Sequence, residues 1–182
     1  MMSLISSLDT YILESLYTIR DPALVQIFIW ISELGRVLVI CGLTSCVAIV
    51  LIHRRKYAYA AGLCLSVATS ITLLFLSKGF IERARPLFSY QAYPEVWYSF
   101  PSAHAAFSAA LYFFLAYLAW KLIPSRPLRI AVVALLSLLV LAISFSRLYL
   151  GVHYASDVIA GVALGALCAW LGYRWVVFVQ KS

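Results

Sequence analysis

The sequence predicts an all-α membrane protein: a bundle of about five transmembrane helices preceded by an interfacial N-terminal helix. Three observations carry that expectation. Of the 182 residues, 64% are hydrophobic, and the mean hydropathy is +0.96; soluble domains are closer to half apolar. The apolar residues gather into runs of about 20, the length needed to cross a bilayer. The charged residues fall mostly between those runs. The chain length suits one membrane-embedded domain over 1–182, with no internal repeat and no low-complexity tail.

The elements follow in order. Residues 3–19 (SLISSLDTYILESLYTI) place apolar side chains at near-helical spacing, broken by Asp9 and Glu14, as an amphipathic helix lying in the interface does. The run 23–34 (ALVQIFIWISEL) is too short to span alone. It reads as a half-inserted helix or as the start of a long tilted first span. Residues 1–33 are thus interfacial or half-inserted, and 34–182 form the transmembrane core. Five spans are expected at about 34–52, 57–76, 102–122, 128–145 and 157–179.

The formal net charge of +7 could indicate a nucleic-acid partner, but the basic residues are scattered between spans. An excess of Lys and Arg in cytoplasmic loops accounts for them. Arg54, Arg55 and Lys56 mark one connection, Lys121, Arg126 and Arg129 a second, and Arg174 with Lys181 the C-terminus. With five spans these share one side, which is then cytoplasmic. Loops 78–101 and 146–156 face the exterior, and so does the N-terminus. Cys41, Cys46, Cys64 and Cys168 lie within apolar stretches without metal-ligand spacing; they read as small buried hydrophobes. The N-terminus lacks the basic region and cleavage site of a signal peptide.

The outward loops nonetheless carry Lys78, Arg83, Arg85 and Arg147, against the loop-charge trend. An anionic ligand at the outer face would explain them. Three short stretches meet there: KGFIERARP (78–86), PSAH (101–104) and SRLYLGVHYASD (146–157). Splitting a phosphate ester requires charge neutralisation, a nucleophile and an acid for the leaving oxygen. Lys78, Arg85 and Arg147 supply positive charge, and the guanidinium fork matches pairs of phosphate oxygens. Ser102 offers a hydroxyl. A helix starting near Ser102 would aim the N–H groups of Ser102, Ala103 and His104 at an anion.

Structural readings stand beside these. Asp157 could simply cap the fifth span. Glu82 and Arg83 read as a surface ion pair or loop contact, with a second phosphate as the alternative for Arg83. His53, beside Arg54, reads as interfacial. Pro86 and Pro101 set chain direction, and Gly151 lets the backbone turn towards phosphate. The aromatics of 87–100 fit an interfacial belt and could also wall a lipid-tail path.

The spacings Lys78-x6-Arg85-Pro86, Pro101-Ser102-Ala103-His104 and Ser146-Arg147-x5-His153-x3-Asp157 resemble the signature of the type 2 phosphatidic acid phosphatase family. These lipid phosphate phosphatases share a fold with vanadium haloperoxidases. The likeness spans most of the chain and departs at Ala103, where the family usually has Gly. The resemblance implies that His153 is the nucleophile and forms a phosphohistidine. Asp157 would orient His153, and His104 would protonate the leaving oxygen and then activate water. Lys78, Arg85, Ser102, Ala103 and Arg147 would bind phosphate. It implies no metal, no cofactor and no obligatory protein partner beyond the lipid-linked substrate and membrane lipids. An outward site in a small bacterial-type chain points to undecaprenyl diphosphate and cell-wall synthesis. Phosphatidylglycerophosphate or phosphatidic acid is the alternative substrate. A lipid phosphotransferase and a non-catalytic lipid-binding or transport protein are the alternative classes.

Overall fold

The computed structural model describes residues 2–181, and side chains over 4–181. Seven α-helices follow one another: α1 (Met2–Thr18), α2 (Pro22–Glu33), α3 (Val37–His53), α4 (Tyr57–Ile81), α5 (Ala103–Leu122), α6 (Arg126–Tyr149) and α7 (Ala155–Lys181). A 3-10 turn at Phe88–Tyr90 interrupts the long α4–α5 loop. Helices α4 to α7 are each long and apolar enough to span; at 1.5 Å per residue even the 20 residues of α5 reach about 30 Å. A fifth crossing is available if α2 and α3 are taken together, with their axes bent by 43°.

The 23–34 run is therefore a helix of its own. Asp21 caps it, its carboxylate accepting from the N–H groups of Ala23 (2.8 Å) and Leu24 (3.1 Å), and Pro22 stands in the first turn, where no N–H is needed. At the bend Gly35 packs so closely that a Cβ there would meet Ile143 Cγ2 at 2.7 Å and His104 O at 3.1 Å. The α2–α3 corner is thus seated against α5 and α6.

Helix α7 lies between α4 and α5 and contacts both. Small residues allow it. A Cβ on Gly165 would strike the carbonyl of Ala106, and one on Gly161 would lie 2.6 Å from Ser102 O. Glycine and alanine let helices approach through their backbones, the common device for packing inside lipid. Ser66 and Ser70 of α4 add hydrogen bonds to the carbonyls of Ala110 (2.9 Å) and Ala106 (3.4 Å) on α5. Helix α6 turns Leu135, Leu138 and Leu141 outward, as a lipid-facing helix should. Three of the four cysteines are also on the outside: Cys41, Cys46 and Cys64 are exposed, and only Cys168 is buried. In a bilayer the outside of a bundle is as apolar as its core, so hydrophobic context does not distinguish the two.

Candidate active site

The close approach of α5 and α7 brings their first turns together. Ser102, the N-cap of α5, donates its backbone N–H to the carbonyl of Asp157 in the first turn of α7 (3.0 Å). Two of the three sequence motifs are thereby joined through the backbone. The first motif arrives from the C-terminal end of α4. Lys78 is buried in its last turn and donates to the carbonyl of Tyr98.

Lys78, Arg85, Ala103, His104 and His153 line one cavity of about 190 Å³, together with Glu95 and the apolar side chains of Leu74, Phe75 and Phe107. Ser102, Arg147 and Asp157 are fully buried behind it. Sequence spacing thus pointed to eight residues, of which five reach the cavity surface and three sit beneath it.

His153 is held in the turn before α7, not on the helix. Arg85 Nη1 lies 3.3 Å from its Nε2 and also donates to the carbonyl of Val152 at 2.8 Å. Arginine can only donate, so the lone pair of His153 is assigned to Nε2 and the ring proton to Nδ1. That proton faces Ser99 Oγ at 3.3 Å and Asp157 Oδ2 at 3.5 Å. Ser99 in turn donates to Asp157 Oδ2 at 2.5 Å. Ser99 is thus a link between the imidazole and the carboxylate. No residue pattern marks it; only its place two positions before Pro101 brings it near a motif.

Asp157 also accepts the N–H of Tyr154 (2.9 Å), the reach of a third-position carboxylate back to the start of its helix. The capping reading and the orienting reading therefore describe the same carboxylate. Its other oxygen takes Arg83 Nη1 at 2.6 Å. Arg83 is more than a surface ion pair: it bridges Asp157 and Asp9 of α1 (2.8 Å) and lies 4.4 Å from the Tyr154 ring centre.

Burial drives the His153 pKa down to about 4, with Arg147 and Arg85 adding to the effect and the Asp157 hydrogen bond opposing it. The imidazole is therefore neutral at physiological pH. Arg85 is lowered by burial but stays charged.

Glu95 had no place in the sequence reading. Its carboxylate pairs with Arg147 Nη2 at 2.6 Å and Arg85 Nη2 at 3.5 Å. Burial favours its neutral form, but Arg147 and Arg85 outweigh that and hold the carboxyl below its usual range. Arg147 also donates to Ser32 Oγ (2.6 Å) and Tyr93 OH. Its Nε and the hydroxyl of Ser102 are buried without a hydrogen-bond partner among the described residues.

Ala103 is in helical conformation, and it is absent from the non-glycine residues with positive φ. The strain that a left-handed backbone would impose on it does not arise. Gly151 does adopt φ +68°, but the groups crowding it are the carbonyl of Tyr90 and the guanidinium of Arg20. The turn expected at Gly151 is present, and its lack of a side chain lets the Tyr90 carbonyl and Arg20 pack against it. Among the described residues no group of His, Cys, Asp and Glu is arranged to hold a metal ion.

Comparison with known proteins decides the family: residues 59–181 match the PAP2 superfamily. The chain belongs to it. Phosphatidylglycerophosphatase B of Bacillus subtilis is 30% identical over 168 residues, covering 92% of this chain and 82% of that protein. The lipid A 4'-phosphatase of Bacteroides thetaiotaomicron is 28% identical, covering 95% and 79%. Among solved structures, the transmembrane PAP2-type phosphatidylglycerolphosphate phosphatase of Bacillus subtilis superposes with a TM-score of 0.88 at 28% identity, over 98% of this chain and 87% of that one. LpxE of Aquifex aeolicus gives 0.73 at 25% identity, over 92% and 95%. This PAP2 chain is an integral membrane protein and a lipid phosphatase.

Proposed function

We propose that this PAP2 phosphatase hydrolyses a phosphomonoester at the headgroup of a glycerophospholipid, with phosphatidylglycerophosphate as the first candidate. The Bacillus subtilis relative and the Bacillus subtilis solved structure it resembles both carry that activity in their names. Undecaprenyl diphosphate, the substrate expected from the sequence, has no counterpart among these relatives and gives way to what was the alternative. The observation that carries the chemistry is His153: a neutral imidazole with Nε2 at the cavity and Nδ1 turned to Ser99 and Asp157.

The reaction then runs in two displacements. His153 Nε2 attacks phosphorus, and the bond to the alcohol oxygen breaks. His104, on the cavity wall, gives that oxygen its proton. Asp157 and Ser99 stabilise the imidazolium as it forms, as an orienting carboxylate does in a hydrolase triad. His104, now neutral, takes a proton from water, which attacks the phosphohistidine and releases phosphate. Lys78 and Arg85 neutralise the phosphoryl oxygens throughout. Arg147 joins them where Glu95 yields, its free Nε and the Ser102 hydroxyl supplying further donors. The apolar wall of Leu74, Phe75 and Phe107 suits an acyl chain.

The whole chain acts as one membrane-embedded unit in this reading, in a bacterial plasma membrane. Its active site faces the exterior and its C-terminus the cytoplasm. The clusters Arg54–Arg55–Lys56 and Lys121–Arg126–Arg129 support that orientation, since they connect the helix ends opposite the site. A panel of phosphatidylglycerophosphate, phosphatidic acid, undecaprenyl diphosphate and a soluble phosphate ester, compared by kcat/KM in detergent, tests the substrate. The highest value is expected for phosphatidylglycerophosphate; a preference for undecaprenyl diphosphate would overturn it. Free phosphate released without an acceptor separates a hydrolase from a phosphotransferase.

A further inference from the structure

The mechanism above makes no use of α1, yet α1 holds a buried carboxylate. Asp9 is only 3% exposed. Its Oδ1 accepts the backbone N–H of Ser156 at 2.9 Å, and its Oδ2 accepts Ser156 Oγ at 2.5 Å and Arg83 Nη2 at 2.8 Å. Arg83 carries the connection inward, donating through Nη1 to Asp157 Oδ1 at 2.6 Å and to Ser156 Oγ at 2.7 Å. The path from α1 to the imidazole is therefore Asp9, Arg83, Asp157, His153. On the same helix Leu4, Ile5 and Leu8 are exposed apolar side chains, suited to the bilayer interface.

We propose that Asp9 is a positioning residue for the reactive pair, acting through Arg83 and Ser156 to hold Asp157 against His153, so that docking of the interfacial helix is part of assembling the site. The proposal rests on the assignment of His153 and Asp157 given above. Physically, Arg83 is one charge shared between two carboxylates. Asp9 draws part of it away, which leaves Asp157 a stronger partner for the imidazolium. Ser156, fixed by three of these bonds, sets the first turn of α7 and hence the direction of Asp157.

This arrangement has a signature that simple loosening of the fold lacks. The charged and titratable groups facing His153 are Asp157 of α7, Arg147 of α6, Lys78 of α4, His104 of α5, and Arg85 and Glu95 of the long loop. Asp9 and Arg83 stand one step further out, with opposite signs. Removing Asp9's charge should therefore ease deprotonation of the imidazolium, and removing Arg83's should hinder it.

The test uses the full chain in detergent with ¹⁵N-labelled histidine, of which there are three. Asp9→Asn should lower the His153 titration midpoint by about half a unit, Arg83→Gln should raise it by about as much, and the double variant should return near wild type. Each single variant should turn over about tenfold more slowly, with non-additive losses in the double. If Arg83→Gln does not fold, Asp9→Glu against Asp9→Asn decides: the midpoint should stay in the first and fall in the second. Midpoints that stay at the wild-type value, or move the same way in both single variants, overturn the coupling. Wild-type protein that forms no phosphohistidine from a phosphate ester overturns the site assignment beneath it instead.

Discussion

The molecule has two adjoining regions held together in opposite ways. Along the α5–α7 seam Gly161 and Gly165 lie against the backbone of Ser102, Ala106 and Ala110 and the methyl groups of Ala105 and Ala109. At the end of that seam lies a polar cap where Arg83, Arg85, Arg147, Asp9, Glu95 and Asp157 pair within a few ångströms. The seam has little chemical content and tolerates almost no added volume. The cap is mostly charge, much of it compensated inside the protein. The seam determines where the cap can form: Gly161 sits beside the carbonyl of Ser102, whose own N–H reaches Asp157.

The largest expected effect separates the two regions cleanly. His153→Ala and His104→Ala should each lower turnover by about 10³-fold or more, while the proteins still fold and run as wild type on size exclusion. In the His104 variant, phosphohistidine should build up in a single-turnover quench if the leaving group departs slowly without its acid. Activity persisting in both would break the proposed roles.

A change in the seam should act in the reverse order, on folding first. Gly165→Val forces a branched side chain onto the Ala106 carbonyl and to within 2.7 Å of Ala109 Cβ. Overpacking of this kind costs about 3 kcal/mol, and here the obstacle is backbone that cannot step aside. Thermal unfolding in detergent should show a lowered Tm, with activity lost in parallel. Gly79→Ala is the control, because no heavy atom lies within 4 Å of a Cβ there; it should leave both unchanged.

The two regions were also unequally legible. Span number and position follow from local apolar length, so α4 to α7 begin and end within a few residues of the expected limits. The α2–α3 bend was only partly marked: the short run at 23–34 left a separate helix and the start of a long first span equally open, and the break falls at 34–36 around Gly35. In the cap, fixed spacings picked out Lys78, Arg85, His104, Arg147, His153 and Asp157. Ser99, Glu95 and Asp9 escaped because their partners lie 58, 52 and 147 positions away. Nothing in a linear pattern reports a contact at that separation.

Glu95 sharpens the comparison, because it is the part of the cap that a phosphate must compete with. Its carboxylate sits on Arg147 and Arg85, cations otherwise available to an anion. Glu95→Gln should bind orthovanadate about tenfold more tightly, read as a lower Ki. The same variant should be less stable, since Arg147, fully buried, loses its carboxylate partner Glu95. Unchanged affinity would mean that Glu95 does not obstruct the anion site.

The smallest effect concerns stability against pH, and it belongs to the cap alone. Folded His153 titrates at about 4 and the unfolded residue near 6.5. Between those values the unfolded chain binds a proton that the folded one refuses. Stability should therefore fall as pH drops from 6.5 towards 4, and this contribution should level off below 4. Glu95, depressed by Arg147 and Arg85, adds a loss of the same sign that begins near the usual carboxylate range. His153→Gln removes the first contribution and keeps the second. Tm plotted against pH should then be flatter for His153→Gln than for wild type over 5–6.5, with the two curves parallel above pH 7. Equal slopes over 5–6.5 would show that His153 is not held neutral by burial, which would remove the basis for treating it as the ready nucleophile of the cap.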